Sequence, residues 1–156
     1  MRVFLTAAVL TLAAAATAAA QNQVGPRLGL SINPDQFVLG GQLTVPFSEP
    51  NLLFAPNVEI GFGDNVTTFQ VNGDVAYHFN EVGPNWNPYV GAGLGLIVID
   101  FNDNFPGDNS DTELGVNIIG GLRFKNRSGS NLFTELRLGI GDLPDAKVMV
   151  GWNFPM

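Results

Sequence analysis

The sequence contains no cysteine and few charged residues of either sign. Its 156 residues include 7 Lys and Arg, 14 Asp and Glu and 1 His, for a formal net charge of -7. The absence of cysteine excludes a disulfide-stapled scaffold, a cysteine nucleophile and a thiolate metal site. The scarcity of Lys and Arg argues against a nucleic-acid partner, because affinity for phosphate backbones comes from those side chains. The length allows one domain.

Long apolar runs are missing beyond the first 20 residues, although 46% of all residues are hydrophobic. No stretch of about 18 or more apolar residues follows, which excludes a transmembrane helix in that part of the sequence. Residues 1–20 combine one positive charge at Arg2, an Ala-rich apolar stretch and three alanines directly before Gln21. This order predicts a secretory signal peptide that is cleaved after Ala20, so that residues 21–156 form the mature domain.

The mature chain alternates apolar and polar residues with a period of two, the spacing of β-strands whose faces meet different surroundings. In residues 67–79, for example, Phe69, Val71 and Val75 lie on one face and polar side chains lie on the other. Clusters of turn-forming residues separate eight such segments, which are residues 27–33, 36–46, 53–63, 67–79, 87–101, 112–125, 131–141 and 146–154. No helix of useful length can be placed between them.

Aromatic residues gather at the predicted strand ends, while strand middles hold Leu, Ile, Val, Ala and Gly. If the mature N-terminus lies in the periplasm, the periplasmic strand ends carry Phe47, Phe54, Tyr77, Phe79, Trp86, Tyr89, Phe124, Trp152 and Phe154. The opposite ends carry Phe37, Phe62, Phe69, Phe101 and Phe105. Two aromatic belts around an aliphatic band are typical of a barrel that crosses a membrane, whereas a soluble core places its large rings in the middle.

The polar face carries charges of both signs in equal number, namely Arg27, Arg123, Arg137, Lys147, Glu59, Asp74, Glu113 and Glu135. Inside a closed barrel such charges must pair, because an uncompensated buried charge costs several kcal/mol. We therefore predict an all-β protein, an eight-stranded antiparallel up-and-down transmembrane β-barrel with these eight charges in its interior. Gly91, Gly93 and Gly95 alternate along one strand; they either point inward to make room for the charged side chains or bend the sheet.

Three segments resemble the small outer-membrane β-barrel group, also called the porin family. They are residues 71–79, residues 88–95 and residues 148–154. The resemblance covers the mature chain and implies a cell outer-membrane location, with membrane lipid and the barrel-assembly machinery as partners and a monomeric state. It also implies that the C-terminal assembly signal consists of Val148, Val150, Trp152 and Phe154. This chain departs from the group by adding Pro155 and Met156 after the final aromatic residue.

Catalytic chemistry finds little support in the sequence. Eight-stranded relatives include lipid A acylases and deacylases, which need a nucleophile or base at the outer-leaflet end, usually a histidine near a serine or carboxylate. The single histidine, His78, falls at the periplasmic end of its strand. We therefore predict no catalytic residue, no cofactor and no enzymatic activity.

The longest connection, residues 102–111, is acidic. Its candidate ligands for Ca²⁺ or Mg²⁺ are the carboxylates of Asp103, Asp108 and Asp111, since both ions prefer oxygen donors. Their spacing fits no EF-hand loop, so we expect a solvated acidic loop and no metal site.

These observations together predict an integral outer-membrane barrel with a structural, envelope or surface-interaction role. Its interior is expected to be filled by side chains, because eight strands enclose little more than that. Two alternatives stay open. One is a secreted or periplasmic lipocalin-like binder of a small apolar ligand, in which the apolar faces would point inward. The other is a lipid A-modifying enzyme.

Overall fold

The computed structural model describes residues 22–79, 82–100 and 110–156, which form a closed barrel of eight strands. The strands are β1 (Gln23–Ile32), β2 (Gln36–Pro46), β3 (Leu52–Gly63), β4 (Val66–His78), β5 (Trp86–Asp100), β6 (Ser110–Lys125), β7 (Asn131–Gly141) and β8 (Ala146–Pro155). Within those three ranges, no helix is long and apolar enough to cross a membrane. The predicted signal peptide, residues 1–20, lies outside the described residues.

Each strand pairs antiparallel with the next one along the chain, and β8 pairs with β1 to close the barrel. In the closing ladder Val24 lies opposite Phe154, and Ile32 lies opposite Ala146. Closure removes both sheet edges, so that backbone N–H and C=O groups find partners within the protein, as a hydrocarbon environment requires. The predicted eight-stranded up-and-down barrel is confirmed.

Strand β1 begins at Gln23, four residues before the start that the sequence pattern predicts. The sequence pattern places the start at residue 27, in a segment whose alternation is less regular than that of residues 67–79. The additional residues include Gly25 and Pro26. In the structure, the pairing of β1 with β8 omits these two residues, while their pairing with β2 continues. A proline lacks the N–H that a ladder needs, so it fits where one of the two ladders is interrupted.

The two faces of the barrel wall differ sharply in polarity. Apolar side chains point outward and are exposed, among them Leu30 at 62% and Leu94 at 61%. Polar and charged side chains point inward and are buried. This arrangement is the reverse of a lipocalin-like barrel, whose apolar face lines the cavity. A surface of this kind is stable where lipid, rather than water, covers it.

Both ends of the barrel carry outward-facing aromatic rings. The end at which β1 begins and β8 ends is called the terminal end below, and the other is called the distal end. At the terminal end Trp152 stacks on Phe154 with ring centroids 6.0 Å apart. Tyr89 differs from its predicted place in this belt, because it shares the inward face of β5 with Asn87 and is only 5% exposed. Phe101 and Phe105 lie outside the described residues.

Candidate functional site in the barrel interior

Six charged side chains form one continuous chain of ion pairs across the lumen. The order is Lys147, Glu59, Arg27, Glu135, Arg137 and Asp74, so that positive and negative groups alternate. The joining N···O distances, in the same order, are 2.6, 3.2, 2.9, 3.1 and 2.8 Å. These side chains are at most 8% exposed, and their three positive charges balance three negative ones.

Four of the five ion pairs join strands that are not neighbours in the barrel wall, and the fifth, between Glu135 and Arg137, lies within β7. Arg137 on β7 donates through Nη2 to both carboxylate oxygens of Asp74 on β4, at 2.9 and 2.8 Å. Lys147 on β8 reaches Glu59 on β3 at 2.6 Å. Because each of these pairs spans three strand intervals, the side chains cross the interior and do not merely line it. The network therefore closes the lumen at the position along the barrel axis where these ion pairs lie.

Three amide side chains link the two ends of this ion-pair chain into a ring. Lys147 donates to the Gln70 amide oxygen, and Gln70 Nε2 donates to Asn72 Oδ1 at 2.6 Å. Asn72 Nδ2 donates to Asn57 Oδ1 at 2.8 Å, and Asn57 Nδ2 donates to Asp74 Oδ2 at 2.7 Å. We call these three amides and the six charged residues the lumen ring. Hydrogen bonds that are linked in this way inside a protein strengthen one another.

The sequence analysis missed the amides of the lumen ring. Asn57, Gln70 and Asn72 are almost completely buried, at 0%, 1% and 2% exposure. The available signal was their alternation: they occupy the same strand faces as Glu59 and Asp74, which the sequence did assign to the interior. Amides combine donors and an acceptor in one group, which lets them relay hydrogen bonds between charges.

Two of the eight predicted interior charges lie on the interior face but outside the lumen ring. Glu113 is half-buried near the distal end of β6, and Arg123 is half-buried near its terminal end. They are ten residues apart, about 33 Å along a strand, so they lie on opposite sides of the ring's level. Between them, Asn117 meets the ring by donating to Asn72 Oδ1 at 2.9 Å. The alternation pattern placed both residues on the inner face, but it contains no information on their position along the barrel axis.

The inward glycines of β5 make room for the lumen ring. A Cβ atom at Gly93 would overlap the Asp74 carboxylate, and one at Gly95 would lie 2.6 Å from Asn72 Oδ1. Of the two interpretations open from the sequence, the structure thus supports space for interior side chains.

We expect Gly93→Ala to lower the free energy of unfolding by about 1–3 kcal/mol, because the added methyl group overpacks the interior. Urea titration of the protein folded into lipid vesicles measures this loss. Gly120→Ala is the matched control, since a Cβ at outward-facing Gly120 meets nothing within 4 Å. Equal stability of the two variants would contradict the assignment.

The distal mouth of the barrel is filled by Leu143. This residue belongs to the β7–β8 connection, yet it is only 4% exposed. Its side chain lies against three inward-facing glycines. A Cβ atom added to Gly95, Gly115 or Gly139 would lie 3.0, 2.7 or 3.0 Å, respectively, from the Leu143 side chain. The missing side chains at these positions create the space that Leu143 occupies, so a connecting residue closes the lumen beyond the ring.

The terminal half of the lumen holds a small cavity of about 40 Å³, lined in part by His78, Tyr89 and Phe133. The Tyr89 hydroxyl donates to Glu135 Oε2 at 2.8 Å, and the His78 ring stacks on the Tyr89 ring at 4.6 Å. Ligand pockets measure about 300–1,000 Å³, whereas a cavity of this size holds only a few waters. This cavity is therefore too small for a small organic ligand.

The remaining predicted residues lie on or near the outside. Val148, Val150, Trp152 and Phe154 point outward from β8 and are 39–53% exposed. Asp111 is exposed on β6, while Asp103 and Asp108 lie outside the described residues. Among residues 22–79, 82–100 and 110–156, no group of three His, Asp or Glu side chains could hold a metal ion.

Comparison with solved structures places this barrel among known ones. The crystal structure of Neisserial surface protein A matches with a TM-score of 0.69 at 14% identity, covering 86% of this chain and 96% of that chain. The N-terminal barrel domain of Pseudomonas aeruginosa OprF matches with a TM-score of 0.66 at 23% identity, covering 86% and 98%. The chain has the fold of the small eight-stranded outer-membrane barrels.

The same fold also occurs in an enzyme. The outer membrane enzyme PagL matches with a TM-score of 0.53 at 13% identity, covering 86% of this chain and 99% of that chain. Identities at this level demonstrate a common fold and leave the activity open. No protein-family model matches the chain and no curated protein matches its sequence, so membership of the porin family stays a prediction.

Proposed function

We propose that the protein is an integral outer-membrane barrel that closes its own lumen and serves a structural role in the envelope. The observation that carries this proposal is the lumen ring, in which six buried charges and three amides cross the interior and neutralise one another. Leu143 adds a second closure at the distal mouth. A pore needs a continuous water-filled path, and both features obstruct one.

The two ends of the barrel differ in charge. The distal connections carry exposed Asp35, Asp64, Asp142 and Asp145, while exposed Lys125 and Arg127 lie at the terminal end together with exposed Glu49. We assign the terminal end to the periplasm, where a chain exported by a signal peptide first arrives. Three of the surface loops are then residues 33–35, 64–65 and 142–145, and the fourth connection at this end, between β5 and β6, lies outside the described residues. Each of these three loops has at most four residues, so these three offer little area to a partner.

A lipid A-modifying activity has less support than a structural role. The only histidine lies inside the barrel at the terminal end, where its ring stacks on Tyr89. Catalysis on lipid A of the outer leaflet would need a nucleophile and its base at the distal end. At that end Ser31 donates its hydroxyl to the Pro34 carbonyl at 2.7 Å, which is a turn-stabilising contact.

The proposal predicts that the purified protein does not conduct ions. In planar lipid bilayers we expect no discrete current steps above those of protein-free membranes, because the lumen ring leaves no open path. Insertion is verified in parallel by heat-modifiable migration in gels, a property of folded barrels. Reproducible, uniform conductance steps from inserted protein would overturn the proposal of a closed barrel.

A further inference from the structure

Strand β6 continues past the end of its ladder with β7 at the distal end of the barrel. The last pair of that ladder joins Gly115 to Gly141, whereas β6 begins at Ser110. Over residues 110–114, β6 pairs with β5 alone, and no described residue forms a ladder with its other side. The hairpin of β5 and β6 therefore has one open edge, about 17 Å long for these five residues.

The chain that follows β7 is directed away from this edge. Gly141 has a φ of +88°, a left-handed conformation that ends the extended strand. Two residues later, Leu143 fills the distal mouth of the lumen and is only 4% exposed. The connection from β7 to β8 is therefore directed into the barrel and does not run along β6.

The backbone groups at the open edge belong to Ser110, Thr112 and Leu114. At the other end of β6, the Lys125 N–H donates to the Asn85 carbonyl on the β5 side at 2.8 Å. Successive residues of a strand direct their N–H and C=O groups to opposite sides. Because the register is constant along both ladders of β6, odd-numbered residues face β5 and even-numbered residues face the β7 side. Three residues thus direct their N–H and C=O groups toward the open edge.

The open edge lies beyond the part of the wall that would span a membrane. Strand β7 has 11 residues, about the number that a tilted strand needs to cross a bilayer. Its partners on β6 are residues 115–125, so residues 110–114 extend past the hydrocarbon region. Ser110, Asp111 and Thr112 are exposed there. An accessible row of unpaired backbone groups is a template for another extended chain.

Charge determines which extended chain fits this edge. Asp111 and Glu113 share the inner face of the hairpin, and exposed Asp142 follows the end of β7. No Lys or Arg is exposed in the distal connections that the structure describes. If two copies paired their edges antiparallel about Thr112, Asp111 of one copy would lie opposite Glu113 of the other, and like charges in that position are destabilising. A strand with Lys or Arg at alternate positions would instead place its cations beside these carboxylates.

We propose that the edge at residues 110–114 binds an extended basic polypeptide segment, which adds a strand to β6 on the side that β7 leaves open. Backbone hydrogen bonds with Ser110, Thr112 and Leu114 attach the segment. Asp111 and Glu113 select cationic side chains at every second position. This binding surface goes beyond the structural role proposed above and does not depend on whether the lumen is closed.

Amide hydrogen exchange, followed by NMR on the folded protein in zwitterionic micelles, tests the edge directly. The probe is a short capped peptide that alternates Lys and Val. In the free protein, the Thr112 N–H should exchange about tenfold faster than the Glu113 N–H, which bonds to β5. Saturating peptide should slow exchange at Thr112 and Leu114. Equal exchange at Thr112 and Glu113 before addition, or unchanged exchange afterwards, would overturn the proposal.

Fluorescence anisotropy of the labelled peptide measures its affinity for protein variants. Thr112→Pro removes one N–H from the open edge and no hydrogen bond from the ladder with β5, so it should weaken binding about tenfold. Thr112→Val keeps the N–H and is the matched control, which should bind as the wild type does. Asp111→Asn combined with Glu113→Gln should weaken binding about fivefold, the effect of losing two exposed ion pairs.

A second peptide makes the test independent of how well the variants fold. It has the same sequence with a methyl group on every backbone nitrogen, so it keeps the charges and lacks N–H donors. The wild-type protein should bind it at least about tenfold more weakly. Equal binding of the two peptides, or wild-type affinity in folded Thr112→Pro, would show charge attraction without strand addition and overturn the proposal. A wild-type dimer that Thr112→Pro dissociates would also overturn it, by assigning the edge to a second copy.

Discussion

Replacing Arg137 with methionine is expected to lower the free energy of unfolding by about 3–5 kcal/mol, the cost of leaving a buried charge without its partner. Arg137 bridges Glu135 at 3.1 Å and Asp74 at 2.8 Å, and its side chain is 1% exposed. The variant leaves the lumen ring with three carboxylates and two cations. Urea-dependent unfolding in lipid vesicles, followed by tryptophan fluorescence, measures the loss.

Two further variants separate the electrostatic cause from simple truncation. Arg127→Met removes the same charge from an exposed turn and should change stability by less than about 0.5 kcal/mol. The double variant Arg137→Met and Asp74→Asn restores charge balance, so it should recover a large part of the loss, because removing both members of a buried ion pair costs far less than removing one. A single variant as stable as Arg127→Met would disprove a stabilising role for the ring.

Placing an arginine in the middle of the outer face is the second large perturbation. Leu94 lies near the centre of β5 and is 61% exposed. In a water-soluble protein, Leu94→Arg would be nearly neutral, because the new charge would be solvated. In a membrane-spanning barrel, it is expected to cost about 2–4 kcal/mol, since the charge enters the bilayer midplane. Vesicle unfolding titrations distinguish these outcomes.

Position along the strand provides the control for this experiment. Ile32 is the last residue of β1 and is 59% exposed, almost as much as Leu94. At the edge of the hydrocarbon region, Ile32→Arg should cost only about 0–1 kcal/mol. If both variants lost the same stability, the effect would not depend on depth, and the proposed orientation of the strands across a membrane would be wrong.

The sequence was most informative where apolar and polar residues alternate along a strand. Asp74 lies between outward-facing Gly73 and Val75, and this pattern assigned it to the interior, where it is buried. The same reasoning assigned Leu94 to the outer face. Tyr89 was assigned to the aromatic belt by its position at a strand end, although its own alternation with Val90 placed it on the inner face. The local period was the better guide at that residue.

Leu143 illustrates a different limit. In the sequence, Leu143 lies among Gly, Asp and Pro residues that are typical of a turn. A single leucine in a turn shows no alternation from which the direction of its side chain could be predicted. Its burial depends on Gly95, Gly115 and Gly139, which come from three strands and meet only when the barrel closes. No local pattern connects these positions.

The sequence by itself determined the eight strands, their faces and the balance of charge inside. The reason is that side chains alternate strictly along a strand, so that once the polar face is assigned to the interior, the apolar face must point outward. Only the tertiary structure decided which inward residues share a level. That choice depends on the stagger of each strand against the next around the closed barrel. The stagger joins Asp74 to Arg137 and Glu59 to Lys147, and it leaves Glu113 and Arg123 outside the ring.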